Sequence, residues 1–77
     1  MKRKRINVLT QDVRAGDVLI WYDDYYAHDT YSVNIKENRA IVKSILFCAN
    51  KVAYYFENVG SLDLFYNCNC EVLRNQG

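Results

Sequence analysis

Residues 31–66 read YSVNIKENRAIVKSILFCANKVAYYFENVGSLDLFY, and this stretch decides the fold. Apolar and polar residues alternate along it at a period of two, interrupted only where turn residues cluster. Tyr31, Val33 and Ile35 share one face, with Ser32, Asn34 and Lys36 on the other. Asn38 breaks the run, Ala40 to Cys48 forms a second, and Asn50-Lys51 breaks that. Val52, Tyr54 and Phe56 follow, and Asn58-Val59-Gly60-Ser61 leads into Leu62, Leu64 and Tyr66. Successive side chains of a strand point to opposite faces, so the pattern predicts an antiparallel meander with one buried face. No segment sustains a helical apolar stripe of three turns.

On the N-terminal side, Lys2-Arg3-Lys4-Arg5 reads as a basic arm (residues 1–5) ahead of a single β-barrel domain at 6–77. A short strand is expected from Ile6 to Leu9. Thr10 is placed to cap one helical turn over Gln11 to Arg14, because its hydroxyl can accept from amides two or three residues on. Ala15-Gly16-Asp17 turns the chain, with Gly16 free to take positive φ. Val18 to Tyr22 is a strand with two apolar faces, Val18, Ile20 and Tyr22 on one and Leu19 and Trp21 on the other. Asp23 to Thr30 is the longest loop. The remaining strands are expected at 31–36, 39–48, 52–57, 62–67 and 71–74, the 39–48 strand bent by a bulge near Ser44. Glu71-Val72-Leu73-Arg74 is the natural partner of Ile6-Asn7-Val8-Leu9, a pairing that would close the sheet and remove its edges.

The 77 residues make one domain, and at this size only ~60% of the unfolded surface is buried, so the core must be dense. Half the residues are apolar, among them seven tyrosines, three phenylalanines and one tryptophan. Asn, Lys, Ile, Tyr and Phe are abundant, a usage of AT-rich genomes such as those of many phages. Net charge is +1, unevenly placed: four cations in a row at Lys2–Arg5, then five acids against Arg14 alone between Asp12 and Asp29. Near-neutrality argues against dependence on non-specific phosphate binding. Three cysteines, an odd number, and no apolar signal stretch after the basic start imply a cytoplasmic protein with reduced thiols, in the host cytoplasm if phage-encoded. The apolar runs are too short to span a bilayer, so no membrane association is expected.

The segment Asp12-Val13-Arg14-Ala15-Gly16-Asp17-Val18-Leu19 resembles the Gly-Asp entry turn of small SH3-like β-barrels of phage and bacterial type. Ala53-Tyr54-Tyr55-Phe56-Glu57-Asn58-Val59-Gly60-Ser61-Leu62 and Glu71-Val72-Leu73-Arg74 resemble the closing strands of that family. The resemblance covers about two-thirds of the chain and skips residues 23–38. It implies an all-β fold, a small SH3-like barrel of five or six antiparallel strands with one helical turn near 11–14, and no particular activity.

Four constellations bear on function. Cys68 and Cys70, at i and i+2, read as buried apolar thiols on one strand face. Only Cys48 and His28 could complete a zinc set, from distant segments, so no metal or other cofactor is expected. His28 beside Asp29 lacks a nucleophile, an oxyanion donor and a phosphate loop, so no enzyme is expected. Asp23, Asp24, Tyr25, Tyr26, His28 and Asp29 form an acidic-aromatic loop. Its tyrosines would anchor a protein partner and its acids would steer a basic surface. This predicts a small accessory or inhibitor protein of phage type that engages a host protein. The first alternative is a nucleic-acid-binding barrel using Lys2, Arg3, Lys4, Arg5, Lys43, Lys51 and Tyr55, the tyrosine stacking on bases. The second is a small-ligand or nucleotide-binding oligomer with ligands held between subunits; the sequence does not set the oligomeric state.

Overall fold

A computed structural model describes residues 2–26, 33–58 and 60–75, with backbone alone for 24–26 and 33–34. The described chain is all-β: β1 (Arg3–Leu9), a 3-10 turn (Thr10–Asp12), β2 (Val18–Tyr26), β3 (Val33–Phe47), β4 (Lys51–Phe56), β5 (Ser61–Phe65) and β6 (Asn69–Asn75). All pairings are antiparallel, in one open sheet of order β1-β6-β2-β3-β4-β5.

The alternating pattern produces the expected core. Val52, Tyr54 and Phe56 of β4 are buried, with Val42, Leu19, Val72, Cys70 and Val13 packed among them. Leu62, Leu64 and Tyr66 lie partly buried against this cluster. Tyr54 is fully buried, and its hydroxyl donates to the Thr10 carbonyl at 2.5 Å, so the ring enters the core without an unpaired polar atom. The bend of the long strand falls where expected: the β3–β4 register shifts between Val42 and Ser44. Gly16 adopts φ +94° in the turn before β2, a conformation that costs a glycine little.

Several expectations are corrected. Ile6–Leu9 does pair with β6, but in a register shifted by two residues, with Asn69–Val72 in place of 71–74, and β1 and β5 then form the two edges of the sheet. The pairing adds a strand and leaves an edge. The basic residues Arg3, Lys4 and Arg5 are no separate arm; they are the first turns of β1, opposite Asn75, Arg74 and Leu73. Thr10 lies inside the 3-10 turn, and Leu9 occupies the cap position with no side-chain cap. The Thr10 hydroxyl instead donates to the Cys68 carbonyl and accepts from the Cys68 amide, both at 3.2 Å, tying the end of β1 to the β5–β6 turn.

Residues 23–26 are strand, and Asn38 interrupts nothing. β2 and β3 pair continuously from Val18 opposite Ile41 to Tyr26 opposite Val33. The segments expected as separate strands at 31–36 and 39–48 are therefore one strand wherever described. The pairing is chemically permitted because Asp23 faces Lys36 across the ladder, and cross-strand opposite charges are favourable. Asn38, opposite Trp21, donates to the Asp23 carboxylate at 2.7 Å.

Candidate functional site: a projecting two-stranded ribbon

The register shows where β2 and β3 leave the sheet. β6 pairs with β2 only at Val18, Leu19 and Ile20, and β4 pairs with β3 only from Val42 onward. Residues 21–26 of β2 and 33–38 of β3 consequently pair with each other and, among the described residues, with no other strand. They form a ribbon with two open flanks. An isolated two-stranded ribbon is marginally stable in water, so its base must hold it.

A network across four strands sits at that base. The Arg5 guanidinium of β1 grips Glu71 of β6 with two hydrogen bonds, Nη2 to Oε1 at 2.7 Å and Nε to Oε2. Arg5 also donates to the Tyr22 hydroxyl of β2 at 2.8 Å, and that hydroxyl donates to Glu71 at 2.9 Å. Glu37 of β3 lies 3.3 Å from the same hydroxyl and takes a hydrogen bond from Arg39 at 2.8 Å. Ile20 lies between Glu71 and Arg39 in register and is only 4% exposed. The side-chain bonds from Arg5, then from Tyr22, hold the Glu71 carboxyl down at about 2. Arg39 lowers Glu37 in the same way, and the hydrogen bond with Glu71 raises the Tyr22 phenol. The network is partly solvated, so its worth is positional: it fixes β2 and β3 in direction where the ribbon begins.

The expected binding residues now have places. Asp23 is exposed on β2, held by Asn38. Asp24, Tyr25 and Tyr26 are the last three residues of β2, opposite Ile35, Asn34 and Val33, so they belong to a strand and no loop. His28 and Asp29 lie outside the described residues. Ile35, which the alternating pattern assigned to a buried face, is 69% exposed, because among the described residues no strand but β2 pairs with β3 there. The sequence signal that missed it treats an alternating run as half-buried whatever its neighbours. The Arg5–Glu71 clamp was also missed. It follows from the β1–β6 register, which sets Glu71 opposite Asn7 and one diagonal from Arg5.

The residues of the nucleic-acid alternative are dispersed. Lys2, Arg3 and Lys4 are exposed on or beside β1, whereas Lys43, Lys51 and Tyr55 lie on β3 and β4, with β6 and β2 intervening in the sheet. Arg5 is committed to Glu71 and Lys51 pairs with Asp63 at 3.1 Å. Tyr55 is 44% exposed on β4, beside the fully buried Tyr54. Cys68 does not share a strand face with Cys70: it precedes β6, after Asn67 at φ +64°, and is exposed while Cys70 is buried. Burial raises the Cys70 thiol above its ordinary value.

Comparison with protein-family models, with curated proteins and with solved structures finds no match to this chain.

Proposed function

We propose that this protein is a small non-enzymatic binding module, of the SH3-like barrel kind, that engages a protein partner through its β2–β3 ribbon. The observation that carries this reading is the ribbon's lack of a flanking strand among the described residues, together with the 69% exposure of Ile35. An aliphatic side chain held in water on a clamped, open-edged ribbon is a surface awaiting cover. Open flanks accept a partner strand by main-chain pairing, and the side chains then set selectivity. Asp23 and Asp24 bias the choice toward a basic partner, and Tyr25 and Tyr26 supply aromatic contact area. The long bent β3 and the hydrogen bond from the Tyr54 hydroxyl of β4 to the Thr10 carbonyl at the end of edge strand β1 support the barrel classification. An accessory or inhibitor role in a host cytoplasm, of phage type, is the biological setting that fits such a module.

The test is affinity capture from a host lysate with the native chain, Ile35→Lys, and Tyr25→Ala with Tyr26→Ala. Stoichiometric retention of one protein by the native chain, weakened by ~2 kcal/mol or more in both variants at unchanged melting temperature, supports the reading. Equal retention by all three places the contact elsewhere.

A further inference from the structure

A corner of the molecule away from the ribbon brings three arginines to one open pocket. Arg3 at the start of β1, Arg14 in the loop before β2 and Arg74 on β6 line a cavity of about 320 Å³, together with Gly16 and Asp17. That volume falls at the small end of the ~300–1,000 Å³ range of ligand pockets.

The one carboxylate in the pocket wall is fully committed. Asp17 is 3% exposed and takes both bonds of a forked pair from Arg74, Nε to Oδ1 at 3.0 Å and Nη2 to Oδ2 at 2.7 Å. Its Oδ2 also accepts the Arg14 amide at 2.9 Å. Asp12, the other acid of this loop, makes no ion pair among the described residues, and its carbonyl binds Arg74 at 2.9 Å. Arg3 and Arg14 therefore have no carboxylate partner among the described residues. Arg3 is nevertheless fixed: Nη1 donates to the Gly16 carbonyl at 2.8 Å, which orients the planar group and leaves Nε and Nη2 uncommitted to the turn. The wall at Gly16 is open, since a Cβ built there would meet no atom within 4 Å.

We propose that this pocket binds a phosphate oxyanion, as free phosphate or as the monoester of a small metabolite. A planar fork held in place by a carbonyl, in a pocket lined by a second arginine with no carboxylate partner among the described residues, matches the trigonal faces of a phosphate better than a point charge does. The Arg74–Asp17 pair forms the neutral floor, so among the described lining residues the remaining charge is that of Arg3 and Arg14. Lys2 and Lys4 flank Arg3 in sequence and add long-range attraction.

The experiment is a titration of isotope-labelled protein with sodium phosphate at fixed ionic strength, followed by amide and arginine Nε resonances. Saturable shifts at Arg3, Arg14 and Gly16 below about 10 mM, absent with chloride, are expected. Arg3→Gln and Arg14→Gln should each weaken binding about tenfold, the scale of one charge-assisted hydrogen bond. Arg14→Gln breaks no side-chain bond to the described residues, so it remains informative if Arg3→Gln loosens β1. Adenosine monophosphate separates the sources: tighter binding than phosphate indicates a monoester, and equal binding indicates the free ion. Shifts that do not saturate, shifts reproduced by chloride, or binding unchanged in Arg14→Gln would overturn the site. Binding of single-stranded DNA with none of phosphate would also overturn it, in favour of a diffuse basic surface.

Discussion

β2 is one continuous strand in two settings. Through Val18, Leu19 and Ile20 it has a partner on each side, and Leu19 and Ile20 are almost wholly removed from water. From Tyr22 onward it pairs with β3 alone, Tyr22 is 50% exposed and Ile35 across the ladder is 69% exposed. Backbone conformation is the same throughout. Neighbouring strands, and with them burial, make the difference. The first half carries stability, and the second is the part on which the proposed recognition rests.

The sharpest test of that division is a matched pair of truncations. Leu19→Ala should lower unfolding free energy by about 3 kcal/mol, the cost of a core cavity. Ile35→Ala should stay within about 0.5 kcal/mol. Chemical denaturation reads both, and a loss above about 1 kcal/mol for Ile35→Ala would show that the ribbon is packed.

Next in size is Asp17→Asn. It leaves Arg74 beside a neutral amide at the base of β2, and should cost about 2 kcal/mol. That is less than the ~3–5 kcal/mol of a wholly buried pair, because the Arg74 side chain is 17% exposed. Burial alone would raise the Asp17 carboxyl, but the Arg74 bond and the Arg14 amide outweigh it and leave it below its ordinary value.

The two cysteines offer a smaller comparison. Cys70→Ser places a hydroxyl in the core and should cost about 1 kcal/mol, while exposed Cys68→Ser should change little. Equal losses would place both thiols in the core.

The smallest effect is a slope. Glu71 is depressed when folded, so its contribution is complete above its ordinary 4.5 and disappears as pH falls toward about 2. Melting temperature should decline through that window, and Glu71→Gln should flatten the decline without abolishing it, since Glu37 and Asp17 are depressed too. An unchanged slope in Glu71→Gln would separate Glu71 from the clamp at the ribbon's base.

The core was legible because Val52, Tyr54 and Phe56 stand in phase, and one buried face leaves no other register. The bulge near Ser44 was legible from the length of the apolar run. The ribbon was not. Glu37, Asn38 and Arg39 look like a break when every strand is assumed to serve a core, yet Glu37 and Arg39 are exposed and pair with each other, and Asn38 binds Asp23, so the strand continues through them. Cys68 misled for a related reason: the i, i+2 rule holds within a strand, and the positive φ at Asn67 places Cys68 in a turn. The candidate site was half visible, since Asp23 to Tyr26 drew notice by composition while Ile35 did not.

The register of β1 also sets a timetable. Among the described residues its strand partner is β6, and Arg5 meets Glu71 at a separation of 66 positions along the chain. At ~5–20 residues per second a ribosome needs several seconds to span that interval. Throughout it β1 waits as an unpaired edge carrying Ile6 and Val8, while β3, β4 and β5 have their neighbours close in sequence and β2 already has β3. The four positive charges at Lys2–Arg5 then have a use before folding ends: mutual repulsion keeps two nascent copies of β1 from pairing with each other.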